Sequence, residues 1–191
     1  NYKAGRKPIR VNRQTDMTDE QQRSNMVWQQ LRLIEYLNEL PVIQLRFDEV
    51  EADDVIAFAT QAEQFKGWEK VIVSSDKDFF QLVSPETSVY RPIQNTFVTT
   101  DSLLEDDRVH PNNYALARAM VGDKSDNLAG VPRVGMKTVA KLFPWLSESR
   151  RYDTESIISD CQTKDKLSAA QKNIIEKIQL FFKVSFKKSY S

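Results

Sequence analysis

The stretch Gly122-Asp123-Lys124-Ser125-Asp126-Asn127-Leu128-Ala129-Gly130-Val131-Pro132-Arg133-Val134-Gly135-Met136-Lys137-Thr138 sets two carboxylates in a polar loop directly ahead of a glycine-punctuated turn into a helix. Glycines at 130 and 135 permit a positive φ or a close backbone approach. The helix begun by Met136, Lys137 and Thr138 offers free N–H groups and the positive end of its dipole, both suited to a phosphate. Lys137 adds a mobile cation beside it. Carboxylate chemistry and phosphate grip therefore meet in one stretch.

Upstream, Pro111 opens a helix through Val121. Before it, Val89-Tyr90 and Phe97-Val98-Thr99 read as a peripheral hairpin turning at Gln94-Asn95. The apolar run Val71-Ile72-Val73-Ser74-Ser75 has the character of a buried parallel strand. Asp76 and Asp78 follow it at once, where open α/β sheets place their sites. Asp76 reads equally well as the N-cap of the segment beginning at Phe79. Glu51, Asp53 and Asp54 open a helix whose buried stripe is Val55, Phe58, Ala59, Ala62 and Phe65. Acids in a first helical turn suit the dipole. Three of them within four residues, behind Asp48 and Glu49, nevertheless repel one another unless a cation is present.

Further back, Ile43, Leu45 and Phe47 alternate as on one face of a strand. Residues 20–40 carry Met26, Val27, Leu31, Ile34, Leu37 and Leu40 on one broad helical side, stopped by Pro41. Residues 1–20 have no apolar periodicity. If helical, they place Lys3 and Arg6 on a shared face able to meet one phosphate, and otherwise they form a solvated basic tail. Downstream, Pro144 ends the short helix at Phe143, and helices follow near 155–161 and 168–186, with Trp145, Phe181, Phe182 and Phe186 read as core. Alternating helices and strands point to an α/β sheet with a right-handed crossover.

Charge is balanced at 27 basic and 27 acidic residues, but it is not evenly spread. Both ends are basic and the acids gather between them, as a metal-dependent enzyme acting on a polyanion requires. One cysteine, Cys161, excludes an internal disulfide, and with a single histidine, His110, it makes zinc or a Cys-His nucleophile a poor reading. No apolar run is long enough to span a bilayer. The sequence starts at Asn1 without a leader and reads as an internal piece of a longer cytoplasmic protein.

Four pieces in order carry a family resemblance: Tyr2-Lys3-Ala4-Gly5-Arg6, Glu51-Ala52-Asp53-Asp54, Ser75-Asp76-Lys77-Asp78 with Gln81-Leu82, and the stretch at 122–138. Together they resemble the flap endonuclease and 5′-3′ exonuclease family, which includes the 5′ nuclease domain of bacterial DNA polymerase I and phage 5′ nucleases. The resemblance implies a parallel-sheet, PIN-like or resolvase-like α/β core lacking its N-terminal strand, followed by a helical helix-three-turn-helix DNA-binding lobe. By it, residues 1–24 are the remnant of a helical arch, 25–110 a partial catalytic core, and 111–191 the lobe and C-terminal helices. It implies two divalent ions, Mg²⁺ or Mn²⁺, one held by Glu51, Asp53 and Asp54 and the other by Asp76, Asp78, Asp123 and Asp126.

By the same resemblance Lys3 and Arg6 contact the scissile phosphate, and carbonyls of Gly130, Val131 and Val134 meet a K⁺ ion beside Gly135, Lys137 and Thr138. Arg133 stands where relatives usually carry glycine, so it either alters the turn or reaches a phosphate itself. The implied activity is structure-specific hydrolysis at a 5′ flap, nick or junction of DNA, with an RNA primer strand as a possible variant, by a monomer in a bacterial or phage-infected cell. A noncatalytic DNA-binding module and a PIN-like ribonuclease are the rival readings.

Overall fold

Local capping chemistry starts three of the helices. Thr18 with Gln21, Thr99 with Ser102 and Asp153 with Ser156 each form a reciprocal pair that satisfies two otherwise orphaned N–H groups. The resulting computed structural model describes residues 18–123 and 127–188. Contacts divide them into two compact units, one ending at Ala52 and one running from Asp53 onward.

The first unit holds α1 (Asp19–Asn38) and an irregular segment after it. α1 has none of the buried side its apolar spacing predicts, since none of its residues is buried. An amphipathic stripe is covered only where another element lies on it, and the described residues of this unit supply no second helix or sheet. The strand expected at 42–47 is likewise not formed, and Ile43 is 87% exposed. Alternation fixes which side chains share a face. It does not provide the neighbouring strand that a ladder needs.

In the second unit, α2 (Ala52–Gln61) turns Val55, Ile56 and Ala59 inward, but Phe58 is 75% exposed and leaves the predicted stripe. Strands β1 (Lys70–Val73), β2 (Thr87–Arg91) and β3 (Thr96–Val98) form one sheet in that order. β1 and β2 are parallel, with Ile72 opposite Val89, whereas β2 and β3 make the expected hairpin, with Val89 opposite Val98. The sheet is therefore mixed, and the row Ile72, Val89, Val98 is its buried face. Val71 and Val73 point outward and are exposed, so β1 is covered on one side only.

The 3₁₀ segment Lys77–Leu82 carries Phe79 and Phe80 from the sheet toward α4 (Pro111–Val121). Phe80 meets Tyr114 edge-on at 5.4 Å between ring centres. α3 (Thr100–Asp106), which apolar periodicity does not announce, adds buried Leu103. Beyond α4 the core continues through α5 (Met136–Leu142), α6 (Thr154–Gln162) and α7 (Ala169–Lys188), by way of Val139, Phe143, Ile157, Cys161 and Ile174. Trp145 packs against this core and donates its indole N–H to Asp160 at 3.1 Å. The side chains of Phe181, Phe182 and Phe186 lie outside the described residues. No described helix is long and apolar enough to cross a membrane.

One polar side chain fixes how α4 meets the chain that follows α5. Asn113 is fully buried, and its amide N–H groups serve the carbonyls of Leu146 (3.1 Å), Glu148 (3.0 Å) and Arg150 (3.0 Å). Its carbonyl accepts from the Tyr152 N–H at 2.9 Å. A single amide thereby satisfies backbone groups on both arms of an irregular loop that would otherwise be buried unpaired.

Glycines shape the turn between α4 and α5. Gly122 takes φ +77° and pairs with Ala129 in the short ladder of β4 (Gly122–Asp123) and β5 (Leu128–Ala129). A Cβ on Gly130 would fall onto the Val121 carbonyl, and one on Gly122 onto the backbone of Gly130. Gly135 is different, because it is extended and has open space around it, and it acts as the N-cap of α5 without a side-chain bond. Arg133 holds φ +62°, the glycine-favoured region, at the position where the resemblance marks a departure from glycine.

Asn113→Ala should cost about 3 kcal/mol in urea unfolding, because several buried carbonyls lose their donor together. Asn113→Asp should be no milder despite its matching shape, since it turns an oxygen toward those carbonyls. Gly130→Ala should lower stability by more than about 3 kcal/mol and Gly135→Ala by less than about 1 kcal/mol, measured by the same unfolding. Arg133→Gly should raise the unfolding midpoint, by up to about 1 kcal/mol in equivalent stability, as left-handed strain is relieved.

Candidate functional site

α4 ends by delivering Arg118 from its last turn, at the edge of the buried stripe formed by Tyr114, Ala117 and Met120. Its Nη2 donates to Asp78 Oδ1 at 3.3 Å and forms a short ion pair with Asp123 Oδ2. Its Nη1 reaches the Gly122 carbonyl at 3.4 Å. Two carboxylates from distant parts of the chain, one after β1 and one in β4, are thus brought to one guanidinium. Asp76 lies beside them in sequence and caps the 3₁₀ segment by accepting from the Asp78 N–H at 3.0 Å, as the capping reading predicts.

The electrostatics of this group are unequal. Burial works against the Arg118 charge, but the hydrogen bond and charge of Asp123, then the charge of Asp78, hold its pKa above the ordinary value. Asp78 does not gain as much from the pairing. Burial first and Asp76 second push its carboxyl above the usual carboxylate range, and Arg118 only partly opposes them. A carboxyl with a higher pKa folded than unfolded loses its stabilising effect as pH rises through that raised value. Asp78 in its ionised form is therefore a frustrated charge that another cation would relieve.

The donor set fits a hard divalent ion in kind. Oxygen ligands suit Mg²⁺ or Mn²⁺, and Mg²⁺ often takes only one or two carboxylates with waters and substrate phosphate completing its shell. The Asp78 side chain is 46% exposed, which leaves it accessible to solvent and ions. Among the described residues, however, no three Asp, Glu, His or Cys side chains converge as a metal-binding group. Asp53 and Asp54 are exposed in the first turn of α2, and Glu51 is exposed just ahead of it. Lys3, Arg6 and Asp126 lie outside the described residues.

On the other side of the glycine turn, Val131 and Val134 bury their side chains in the core. The Val131 carbonyl already accepts from the Val134 N–H at 3.1 Å. Arg133 and Lys137 are exposed, whereas Thr138 is half-buried and donates its backbone N–H to the Gly135 carbonyl at 2.9 Å. Lys177 of α7 donates to the Ala129 carbonyl and ties the long helix to this turn. A cavity of about 740 Å³ opens here, with Leu116, Ile174 and Ile178 in its apolar wall and Asp78, Arg118 and Asp123 among its polar lining.

Sequence reading missed Arg118 and Lys177. Arg118 is the basic residue of the last turn of α4, a position the helix dipole favours without further purpose. His110 and Cys161 take structural places in and beside the core. The His110 Nδ1 accepts from the Asn112 N–H at 3.2 Å as a helix cap, and burial raises the pKa of the buried Cys161 thiol.

Residues 1–110 match the family model described as 5′-3′ exonuclease, N-terminal resolvase-like domain. The chain is 33% identical over 111 residues to a 5′-3′ exonuclease of Buchnera aphidicola subsp. Schizaphis graminum, a match covering 58% of this chain and 39% of that protein. It is 38% identical over 115 residues to the thermostable DNA polymerase I of Thermus thermophilus, covering 60% of this chain and 14% of the polymerase. Among solved structures it resembles the T5 D15 protein co-crystallised with metal ions, with TM-score 0.66 and 17% identity, over 87% of this chain and 61% of that one. It also resembles the T5 D15 flap endonuclease in its pseudo-enzyme-product complex with DNA and metal ions, with TM-score 0.61 and 19% identity, over 83% and 56% of the two chains.

The T5 likeness, at such identities, speaks for the fold alone. The chain spans less than two thirds of each of these relatives. More than half of its length lies inside the family model, and the chain belongs to the 5′-3′ exonuclease, N-terminal resolvase-like domain family.

Proposed function

We propose that this chain is part of a structure-specific 5′ nuclease that hydrolyses phosphodiesters in DNA, or in an RNA primer strand, at flaps, nicks and junctions during replication and repair. The observation that carries this reading is the meeting of Asp78 and Asp123 at one end of α4, directly ahead of the glycine turn. Names of the relatives support it, since they include 5′-3′ exonucleases and a flap endonuclease with DNA and metal ions.

In this reading Asp76, Asp78, Asp123 and Asp126 hold one divalent ion, Mg²⁺ or Mn²⁺, and Glu51, Asp53 and Asp54 hold a second. Such ions supply a hydroxide nucleophile and neutralise charge on the phosphoryl oxygens. The chain's own part is to gather oxygen ligands, to keep Asp78 partly desolvated, and to seat the phosphate chain. Lys3 and Arg6 contact the scissile phosphate. α4, the turns and α5 act as a helix-three-turn-helix lobe, following an arch remnant at 1–24 and a core at 25–110, whose sheet is completed by a further strand. Exposed Lys137 and Arg133 grip duplex phosphate, while backbone carbonyls at Gly130, Val131 and Val134, with Gly135 and Thr138 beside them, frame a K⁺ site. The protein acts as a monomer in the cytoplasm.

The deciding assay offers 5′-labelled flap, nicked and single-stranded substrates to the purified protein with and without Mg²⁺. Cleavage near the 5′ end that needs Mg²⁺ is expected, and junction binding without cleavage would instead identify a noncatalytic DNA-binding module. Asp126→Asn and Asp78→Asn should each lower single-turnover cleavage about a hundredfold or more while binding persists. Near-normal cleavage by either would remove that residue from the metal site.

Lys137→Ala should weaken binding to all sequences alike and reduce the salt slope by about one unit, with little change in cleavage of bound substrate. Lys3→Ala should do the reverse, and equal effects of the two variants on both quantities would show the roles to be misassigned.

A further inference from the structure

Arg118 touches both Asp78 and Asp123 through the same terminal nitrogen, Nη2, so neither carboxylate receives the two-pronged grip a guanidinium can give. Its Nε is buried and has no hydrogen-bond partner. The arrangement is a compromise in which one guanidinium nitrogen serves two carboxylates and leaves another of its donors unused. The side chains of Arg118 and Asp123 are about four-fifths covered, at 20% and 21% exposure, whereas Asp78 at 46% faces solvent. Asp78 is therefore the partner that an incoming ion reaches first.

We propose that Arg118 is a built-in counter-ion for this pair, holding Asp78 and Asp123 together while no metal is bound and releasing Asp78 when a divalent ion takes its place. The proposal rests on the reading of Asp78 and Asp123 as metal ligands. It makes Arg118 a positioning residue that competes with metal and prepares the two carboxylates for it. A guanidinium that served only to strut α4 against β4 would hold equally tightly with or without the ion.

The test measures free Mn²⁺ by electron paramagnetic resonance, together with melting temperature, for the unsubstituted protein and for Arg118→Met, Arg118→Lys and Asp123→Asn. Arg118→Met should melt lower without metal, bind Mn²⁺ about tenfold more tightly, and recover most of the lost melting temperature when Mn²⁺ is added. Arg118→Lys keeps the charge but replaces the fork with a single ammonium, so it too should bind Mn²⁺ more tightly, by a smaller factor. If Arg118→Met does not fold, Arg118→Lys alone decides.

Mn²⁺ affinity that is unchanged or weaker in the arginine variants overturns the proposal, as does an equal drop in melting temperature with and without the ion. If Asp123→Asn weakens Mn²⁺ binding while the arginine variants leave it unchanged, only the counter-ion role falls. If the unsubstituted protein binds no Mn²⁺, the metal reading falls and takes this proposal with it.

Discussion

A half-buried guanidinium between two carboxylates joins the main parts of the second unit. Arg118 ties the 3₁₀ segment after β1, through Asp78, to the ladder that opens the glycine turn, through Asp123 and the Gly122 carbonyl. Removing any one of the three charges would leave the others partly desolvated and unbalanced, which costs more than the intact group contributes. The sheet, α4 and the turn are consequently held in one register by charge as well as by the apolar row beneath them. That register also sets two acids, one from the 3₁₀ segment and one from β4, beside the same guanidinium.

α4 has three distinct duties along its length. Tyr114, Ala117 and Met120 fill the core, Asn113 near its start satisfies the loop at 146–152, and Arg118 near its end meets the acids. The spacing explains how one short helix can do all three. Asn113 and Ala117 are four apart and share the buried side, while Arg118 is rotated about 100° from Ala117, to the rim where a long polar head reaches partly into solvent. A polar residue on the inner face is tolerated because every one of its hydrogen-bonding groups is used.

The sequence made plain what depends on neighbours in the chain. Asp76 as a cap, Pro111 at the start of α4, the hairpin at 87–98 and Gly130 in close contact all follow from local stereochemistry. It did not reveal Asn113 or Arg118, because nothing in their surrounding residues announces the loop carbonyls that Asn113 serves, or Asp78 for Arg118, all more than thirty positions away. The strand at 42–47, the buried side of α1 and the inward place of Phe58 failed for a related reason. Periodicity predicts which residues would share a buried face, while burial itself requires a second surface. Of the candidate site, the acids were legible as acids; that Asp78 and Asp123 meet, and at an arginine, belongs to tertiary structure.

The balance of 27 basic and 27 acidic residues gains meaning from where the charges sit. Asp78 and Asp123 are partly covered, and in that less polar setting their charge attracts a cation, here Arg118, far more strongly than in bulk water. Arg133 and Lys137 are exposed, where long cationic side chains can follow a phosphate backbone without first losing their hydration. On the proposed reading, partly covering these two acids and exposing these two bases lets the same net charge serve both ends, since the field at each is set by the nearest few groups within a Debye length of roughly 10 Å. The tight packing of Gly130 on Val121 thus has an electrostatic consequence, because it helps fix the separation between Asp123 and the exposed cations Arg133 and Lys137.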